Sequence, residues 1–193
     1  MFEAIEIVTP PEEEPVTLDQ AKQHGRDIPE EDDELYQQKL ISARQRGEHF
    51  TRRSFITQTL DVWYDSTNGL GYFELPRGHV QSVVGLYLYD AYGAEYVVDP
   101  LLYSLSGSDL ILNDWLPGYR PRKGIKIRII SGYGFAEDVP EMIKEGILEY
   151  AYHAYENRMG ESTDARYEVQ AKGGAGLPQG VYDKWKPYQI VMV

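Results

Sequence analysis

Gly132-Tyr133-Gly134-Phe135 leads through Asp138-Val139-Pro140-Glu141 into an apolar-striped run that ends at Tyr155-Glu156-Asn157-Arg158. Just upstream, Ile125, Ile127 and Ile129 face opposite to Lys126, Arg128 and Ile130, the period of two expected of a strand. Downstream, Ile143, Ile147, Tyr150, Ala151 and Ala154 build a stripe at helical spacing, with Lys144, Glu145 and Glu149 left for water. Pro140 suits a first turn, where the backbone N–H has no partner to lose. A strand therefore feeds, through a glycine-rich turn, into a helix of about five turns. No residue of the run looks catalytic, so the chain reads as one built to hold a shape and present surfaces.

Working outward, Thr17-Leu18-Asp19-Gln20 opens a short helix with Thr17 as cap and Gln20 completing a capping box; Gly25 ends it and Asp27-Ile28-Pro29 connects. A second helix starts within Glu30-Glu31-Asp32-Asp33, where acids suit the positive end of the dipole, and runs to about Thr51. Tyr36, Leu40, Ala43, Gly47 and Phe50 form its buried stripe, widened by Leu35 and Ile41, while Arg44, Arg46 and Arg52 lie toward its end. From Phe55 to Ile130 the period is two. Strands are expected at Leu60–Tyr64, Tyr72–Leu75, Val83–Asp90 (Val84, Leu86 and Leu88 on one face), Glu95–Val98, Tyr103–Leu105, Leu110–Leu112 and Gly124–Ser131. Ser66-Thr67-Asn68-Gly69, Ala91-Tyr92-Gly93 and Ser106-Gly107-Ser108-Asp109 are the turns between them. Ala171 to Gly176 has linker composition, and a last apolar patch spans Leu177 to Val193.

The expected fold is α+β: an antiparallel helical bundle, two long helices plus short ones, with an inserted antiparallel β region and an extended C-terminal tail. Its parts are an acidic leader with N-terminal helices (1–54), the β region (55–132), the long helix (133–158), and a linker with tail (159–193), one structural domain overall. At 193 residues, the chain can bury about 70% of its unfolded surface and needs no staple. It has no cysteine, which removes disulfides, thiolate metal sites and thiol nucleophiles. No apolar stretch approaches the roughly 20 residues that span a bilayer, and Met1 to Pro15 carries acids where a secretion signal needs positive charge.

The net charge of −12 is uneven: residues 1–34 hold twelve acids against Lys22 and Arg26. Such a face either adds solubility or forms a surface along which DNA passes without sticking, since binding requires phosphates to be neutralised. Sixteen tyrosines, amphipathic and enriched at interfaces, point to a protein with partners.

Chemical motifs are sparse. His24, His49, His79 and His153 share no ligand spacing, and no GxSxG elbow occurs. Gly173, Gly174 and Gly176 lack the Lys and Ser or Thr of a phosphate loop. Asp61 and Asp65 read as a solvated strand face rather than a glycosidase pair. One basic cluster stands out: Arg120, Arg122, Lys123, Lys126 and Arg128, beside Trp115 and Tyr119. It fits stacking on nucleic acid, or, as the preferred reading, a loop meeting a neighbour's acidic patch. Tyr188 to Val193 has strand composition and either adds to a sheet edge of another chain or folds back, with Trp185, onto its own domain.

With these residues in view, the chain resembles the head–tail connector (neck adaptor) proteins of long-tailed bacteriophages. The resemblance rests on Pro15-Val16-Thr17-Leu18-Asp19-Gln20-Ala21-Lys22, Asp32-Asp33, Ile41-Ser42-Ala43-Arg44, Phe50-Thr51-Arg52-Arg53 and Thr57-Gln58-Thr59-Leu60. It continues in Leu75-Pro76-Arg77, Val80-Gln81-Ser82-Val83, Ser131-Gly132-Tyr133-Gly134, Val139-Pro140-Glu141, Tyr155-Glu156-Asn157-Arg158, Leu177-Pro178 and Pro187-Tyr188. Gly25 departs from it, standing where a bulky apolar residue is expected.

The resemblance implies a virion protein with no enzymatic activity, cofactor or metal. It would be made in the host bacterial cytoplasm and placed at the head–tail junction, with no membrane contact. A ring of about twelve copies beneath the portal closes only through heterologous contacts. The implied partners are the portal, further copies of the chain, and the next neck protein (a stopper or tail completion protein). DNA passes through without sequence-specific binding. On this reading Trp185, Tyr188, Ile190, Val191, Met192 and Val193 dock the portal; Trp115, Tyr119, Arg120, Arg122 and Lys123 meet a neighbouring subunit or neck protein; and Glu12, Glu13, Glu14, Glu30 and Glu31 face the lumen. The rivals are a carbohydrate- or peptide-binding module using the aromatic β surface, and a hydrolase with a carboxylate pair.

Overall fold

The computed structural model describes residues 2–25, 28–66, 71–114, 116, 118, 120, 122–157 and 176–190. Asp27 of the first connection, the Thr67-Asn68-Gly69 part of the expected hairpin turn, Trp115, Tyr119, Arg158, the linker up to Ala175, and Val191 to Val193 lie outside the described residues. The chain is mixed helix and antiparallel sheet and divides into two compact units. One comprises residues 1–12 and 57–133, the other residues 13–56 and 134–193.

Among its described residues the first unit holds eight strands: β1 (Phe2–Thr9), β2 (Gln58–Tyr64), β3 (Tyr72–Glu74), β4 (Val80–Tyr89), β5 (Glu95–Val97), β6 (Tyr103–Ser106), β7 (Asp109–Leu112) and β8 (Ile125–Ser131). They form a five-stranded sheet ordered β1-β2-β8-β4-β5 and a three-stranded sheet ordered β3-β7-β6. Every pairing is antiparallel. The period of two explains the core. Ile125, Ile127 and Ile129 point one way from β8 and are fully buried with Leu60, Val62, Leu86, Leu88, Phe73 and Leu110. Each such side chain contributes about 1.5–3 kcal/mol by leaving water.

Two expectations need correcting here. Residues 2–9, expected within an acidic leader, form strand β1 and pair with β2. Val84, expected on the same face as Leu86 and Leu88, is 51% exposed while those two are buried. A register shift between Val83 and Gly85 on the β8 partner reverses the alternation there, as a bulge does.

The second unit holds helices α1 (Leu18–His24), α2 (Asp33–Thr51), α3 (Glu141–Glu156) and α4 (Gln179–Trp185). The capping box at Thr17 is present: the Gln20 N–H donates to Thr17 Oγ1 at 3.2 Å, and the Thr17 N–H to Gln20 Oε1 at 2.8 Å. Gly25 caps the C-terminal end of α1. A Cβ at that position would stand 2.5 Å from the Tyr152 ring, which accounts for a glycine where a bulky residue was expected. Arg44, expected toward the cation-favouring end of α2, is buried. Its Nε meets Glu14 at 2.8 Å and its Nη1 meets Glu48 at 3.1 Å. Glu48 also accepts the Phe55 N–H at 2.9 Å. Removing one partner of such a buried ionic group typically costs about 3–5 kcal/mol, because the other charge is stranded.

The extended tail expected at the C-terminus is helical over Gln179–Trp185 and continues as a 3-10 turn over Lys186–Tyr188. Leu177, Val181 and Trp185 recur every four residues and all three are buried, a helical period overlooked beside the strand-like residues that follow. The Trp185 indole donates to the Ile143 carbonyl at 3.2 Å. Helix positions 47 and 146 make room for it. A Cβ on Gly146 would lie 2.2 Å from Trp185 Nε1, and one on Gly47 would lie 2.7 Å from Phe55 and 3.0 Å from the indole.

Two outcomes follow from this packing. Gly→Ala inside a helix ordinarily stabilises by about 0.5–1 kcal/mol. At Gly146 the clash with a buried indole, an overpacking cost of about 1–3 kcal/mol, reverses that sign. Denaturant unfolding of Gly146→Ala therefore shows a lower midpoint than the native chain, and a higher one would refute the packing described. Burial lowers the pKa of His153 below the ordinary 6.5, against a smaller opposing effect of Glu149. The folded state then binds fewer protons than the unfolded one, so this contribution is present above pH 6.5 and lost as pH falls through the folded pKa. His153→Gln loses less stability than the native chain between pH 7 and pH 5.5, read from unfolding midpoints at each pH.

Candidate functional site

The basic cluster lies on the outward side of the five-stranded sheet, where two of its members are already partnered. Arg128 and Asp61 sit directly opposite in the β2–β8 register. Nε and Nη2 of Arg128 donate to the two Asp61 oxygens, each at 2.7 Å. That bidentate contact raises the arginine pKa further. Lys126 donates to Glu95 at 2.8 Å and lies 4.3 Å from the Tyr87 ring centre and 5.2 Å from that of Tyr89. Burial disfavours its charge, but the hydrogen bonds with Glu95 and Tyr89 outweigh burial and raise its pKa. The same bond from Lys126 lowers that of Glu95. Asp65 accepts the Lys123 N–H at 3.1 Å, so both aspartates of the carboxylate-pair reading have structural partners.

The rest of the cluster is nearer the surface. The Arg120 guanidinium stacks 5.2 Å over Tyr89 and its Nε donates to the Lys123 carbonyl at 3.1 Å. Lys123 lies 5.7 Å from the Trp63 ring centre and 3.9 Å from Glu6. Arg122 is exposed.

Among the acidic residues, Glu12, Glu13, Glu30 and Glu31 are exposed, whereas Glu14 is held by Arg44. Glu13 accepts the Ala136 N–H at 2.7 Å beside an open groove of about 570 Å³, lined by Glu13, Gln20, Phe135, Glu137 and Lys144 among others.

The C-terminal residues divide sharply. Trp185 is fully buried within the second unit, among Phe50, Tyr150 and Tyr182. The Tyr188 carbonyl accepts from Arg53 at 2.6 Å, Gln189 donates to the Phe50 carbonyl at 3.2 Å, and the Ile190 N–H donates to that of Thr51 at 2.9 Å. Tyr188 and Ile190 remain half-buried, at the point where the described chain ends.

Among the described residues, no group of three or more His, Asp or Glu side chains is placed to hold a metal ion. Among the same residues, no helix is long and apolar enough to cross a membrane. His79 stacks on Tyr133, with ring centres 4.1 Å apart.

One surface escaped the sequence reading. Tyr92, Tyr96, Val97 and Leu101 are all exposed within ten residues around β5. Pro100 just after a three-residue strand was the available signal, because proline accompanies sheet edges.

No protein-family model matches the sequence, and no curated protein does. Solved structures do match, across 99% of this chain and 97% of theirs. A chain in the neck of an empty GTA particle, computed with C6 symmetry, superposes with a TM-score of 0.76 at 20% identity. One in the virion of a native gene transfer agent particle gives 0.74 at 19%. One in the neck of a native GTA particle, computed with C12 symmetry, gives 0.72 at 19%. The fold is therefore that of chains found in such virions and necks, in line with the resemblance read from the sequence.

Proposed function

We propose that the chain is a non-enzymatic structural protein of a phage-like particle, an adaptor that forms a ring beneath the portal and joins the capsid vertex to the next neck protein. The observation that carries this reading is the fold match over nearly the full length of both chains to neck structures. Symmetries of C6 and C12 in those necks suit a ring of twelve copies. The chain is made in the host cytoplasm and resides at the head–tail junction.

The surfaces have distinct roles. Arg120, Arg122 and Lys123, with Trp115 and Tyr119, contact the neighbouring subunit or the next neck protein. Glu12, Glu13, Glu30 and Glu31, exposed and acidic, line the lumen and let DNA pass without capture; Glu14 belongs to the Arg44 network behind them. Portal docking falls to the chain from Tyr188 onward, through Ile190, Val191, Met192 and Val193. Trp185 instead anchors this arm, since its side chain is enclosed by its own unit.

That division dictates the test. Deleting residues 177–193 would remove Trp185 and so confound docking with folding, but deleting residues 190–193 leaves the helix and its tryptophan in place. The shortened chain is expected to keep its melting temperature within a few degrees and to lose co-sedimentation with the portal. Undiminished co-sedimentation would overturn the docking role, and a full-length chain that never binds portal would overturn the adaptor reading.

A further inference from the structure

The five-stranded sheet ends in two open edges, β1 on one side and β5 on the other. Unpaired edges expose rows of backbone donors and acceptors that template pairing with another chain, and natural proteins usually blunt them with lysine, proline or cover. Neither strand contains lysine or proline; Glu3, Glu6 and Glu95 are the charges on them, and β5 is short at three residues. Both carry exposed apolar residues instead: Ile7 and Val8 are 57% and 43% exposed, Tyr96 and Val97 55% and 69%, and Leu101, just past β5, 82%.

The registers fix how the edges relate. Four successive antiparallel pairings separate β1 from β5, so the two edge strands run in the same direction. Paired residues define rows across the sheet. Ala4, Trp63, Lys126, Tyr87 and Val97 form one row on the outward side. Ile7, opposite Leu60, and Tyr96, opposite Leu88, both lie on the core side of the pleat. If β5 of one copy is set beside β1 of the next without stagger, Val97 meets Ala4 in a parallel pair. Ile7 and Val8 then run past the end of β5, where the chain turns into the 3-10 helix Pro100–Leu102. At this register Val97 and Val98 stand beside Ala4 and Ile5, Tyr96 stands beside Glu3, and both faces keep their alternation across the junction.

We propose that β5 of each copy pairs with β1 of the next, continuing the five-stranded sheet from subunit to subunit. The occupant of each edge is thus a second copy of this chain. Two different edges on one sheet make the contact heterologous, the kind a closed ring requires. Main-chain bonds supply its affinity, and the alternating apolar side chains its register. The inference rests on the ring reading above and adds which strands form the contact.

The absence of cysteine makes the test clean. A chain carrying both Ala4→Cys and Val97→Cys, assembled with portal and treated with a short bismaleimide linker, is expected to yield a covalent ladder up to the ring's full copy number. Either single substitution should stay monomeric on a denaturing gel. Rings of native mass without a ladder would overturn the strand pairing and leave the ring intact. Dimers from a single substitution would indicate a two-fold contact and overturn it as well. A cysteine-free chain that forms no ring with portal would overturn the ring reading itself. Independently, Val97→Lys should weaken ring assembly at least tenfold with unchanged melting; assembly at the native concentration would contradict the pairing.

Discussion

Trp185 is the fixed point around which the helical unit closes. A buried tryptophan removes about 150–250 Å² from water, but only where the surrounding backbones leave it space. Two glycines create that space, Gly47 on α2 and Gly146 on α3, where any Cβ would collide with the indole or with Phe55 beside it. The indole N–H finds the Ile143 carbonyl, so the polar atom is satisfied as the ring is enclosed. α4 is thereby fastened to both long helices, although a long stretch of sequence separates it from them. Residues 188–190, just past the tryptophan, are held close to α2 and its C-terminal end by the contacts of Tyr188, Gln189 and Ile190.

Much of this architecture was legible in the residues. The capping box at Thr17, the acid-rich start of α2 and the isoleucine alternation of β8 each rest on local physics, and each appears as read. What escaped depends on partners distant in sequence. Phe2–Thr9 looks like an acidic leader until β2 is there to pair with it. Arg44 reads only as a cation toward a helix end until Glu14, thirty residues earlier, reaches it. Val84 breaks its strand's alternation because of a bulge that no propensity encodes. The tail misled because its last residues have strand composition, which concealed the four-residue period of Leu177, Val181 and Trp185.

The surfaces were legible as residue types but less so as availability. A basic cluster in sequence becomes, in the fold, two buried or half-buried ion pairs and a smaller exposed remainder around Arg122. An acidic run becomes exposed carboxylates plus one member of a buried network. Cations stacked on tyrosine and tryptophan rings stiffen the outward face of the sheet, with each contact worth about 0.5–1 kcal/mol where exposed and more where water is excluded. Within each unit the side chains are densely packed, while the sheet ends at β1 and β5 and apolar residues such as Val97 and Leu101 stay exposed.

The most direct test of that picture is the mass of the purified chain in solution, alone and mixed with the portal of the same particle. The account predicts either a ring on its own or a chain that joins the portal at one copy per portal subunit. A strict monomer whose mass is unchanged by the portal would contradict it.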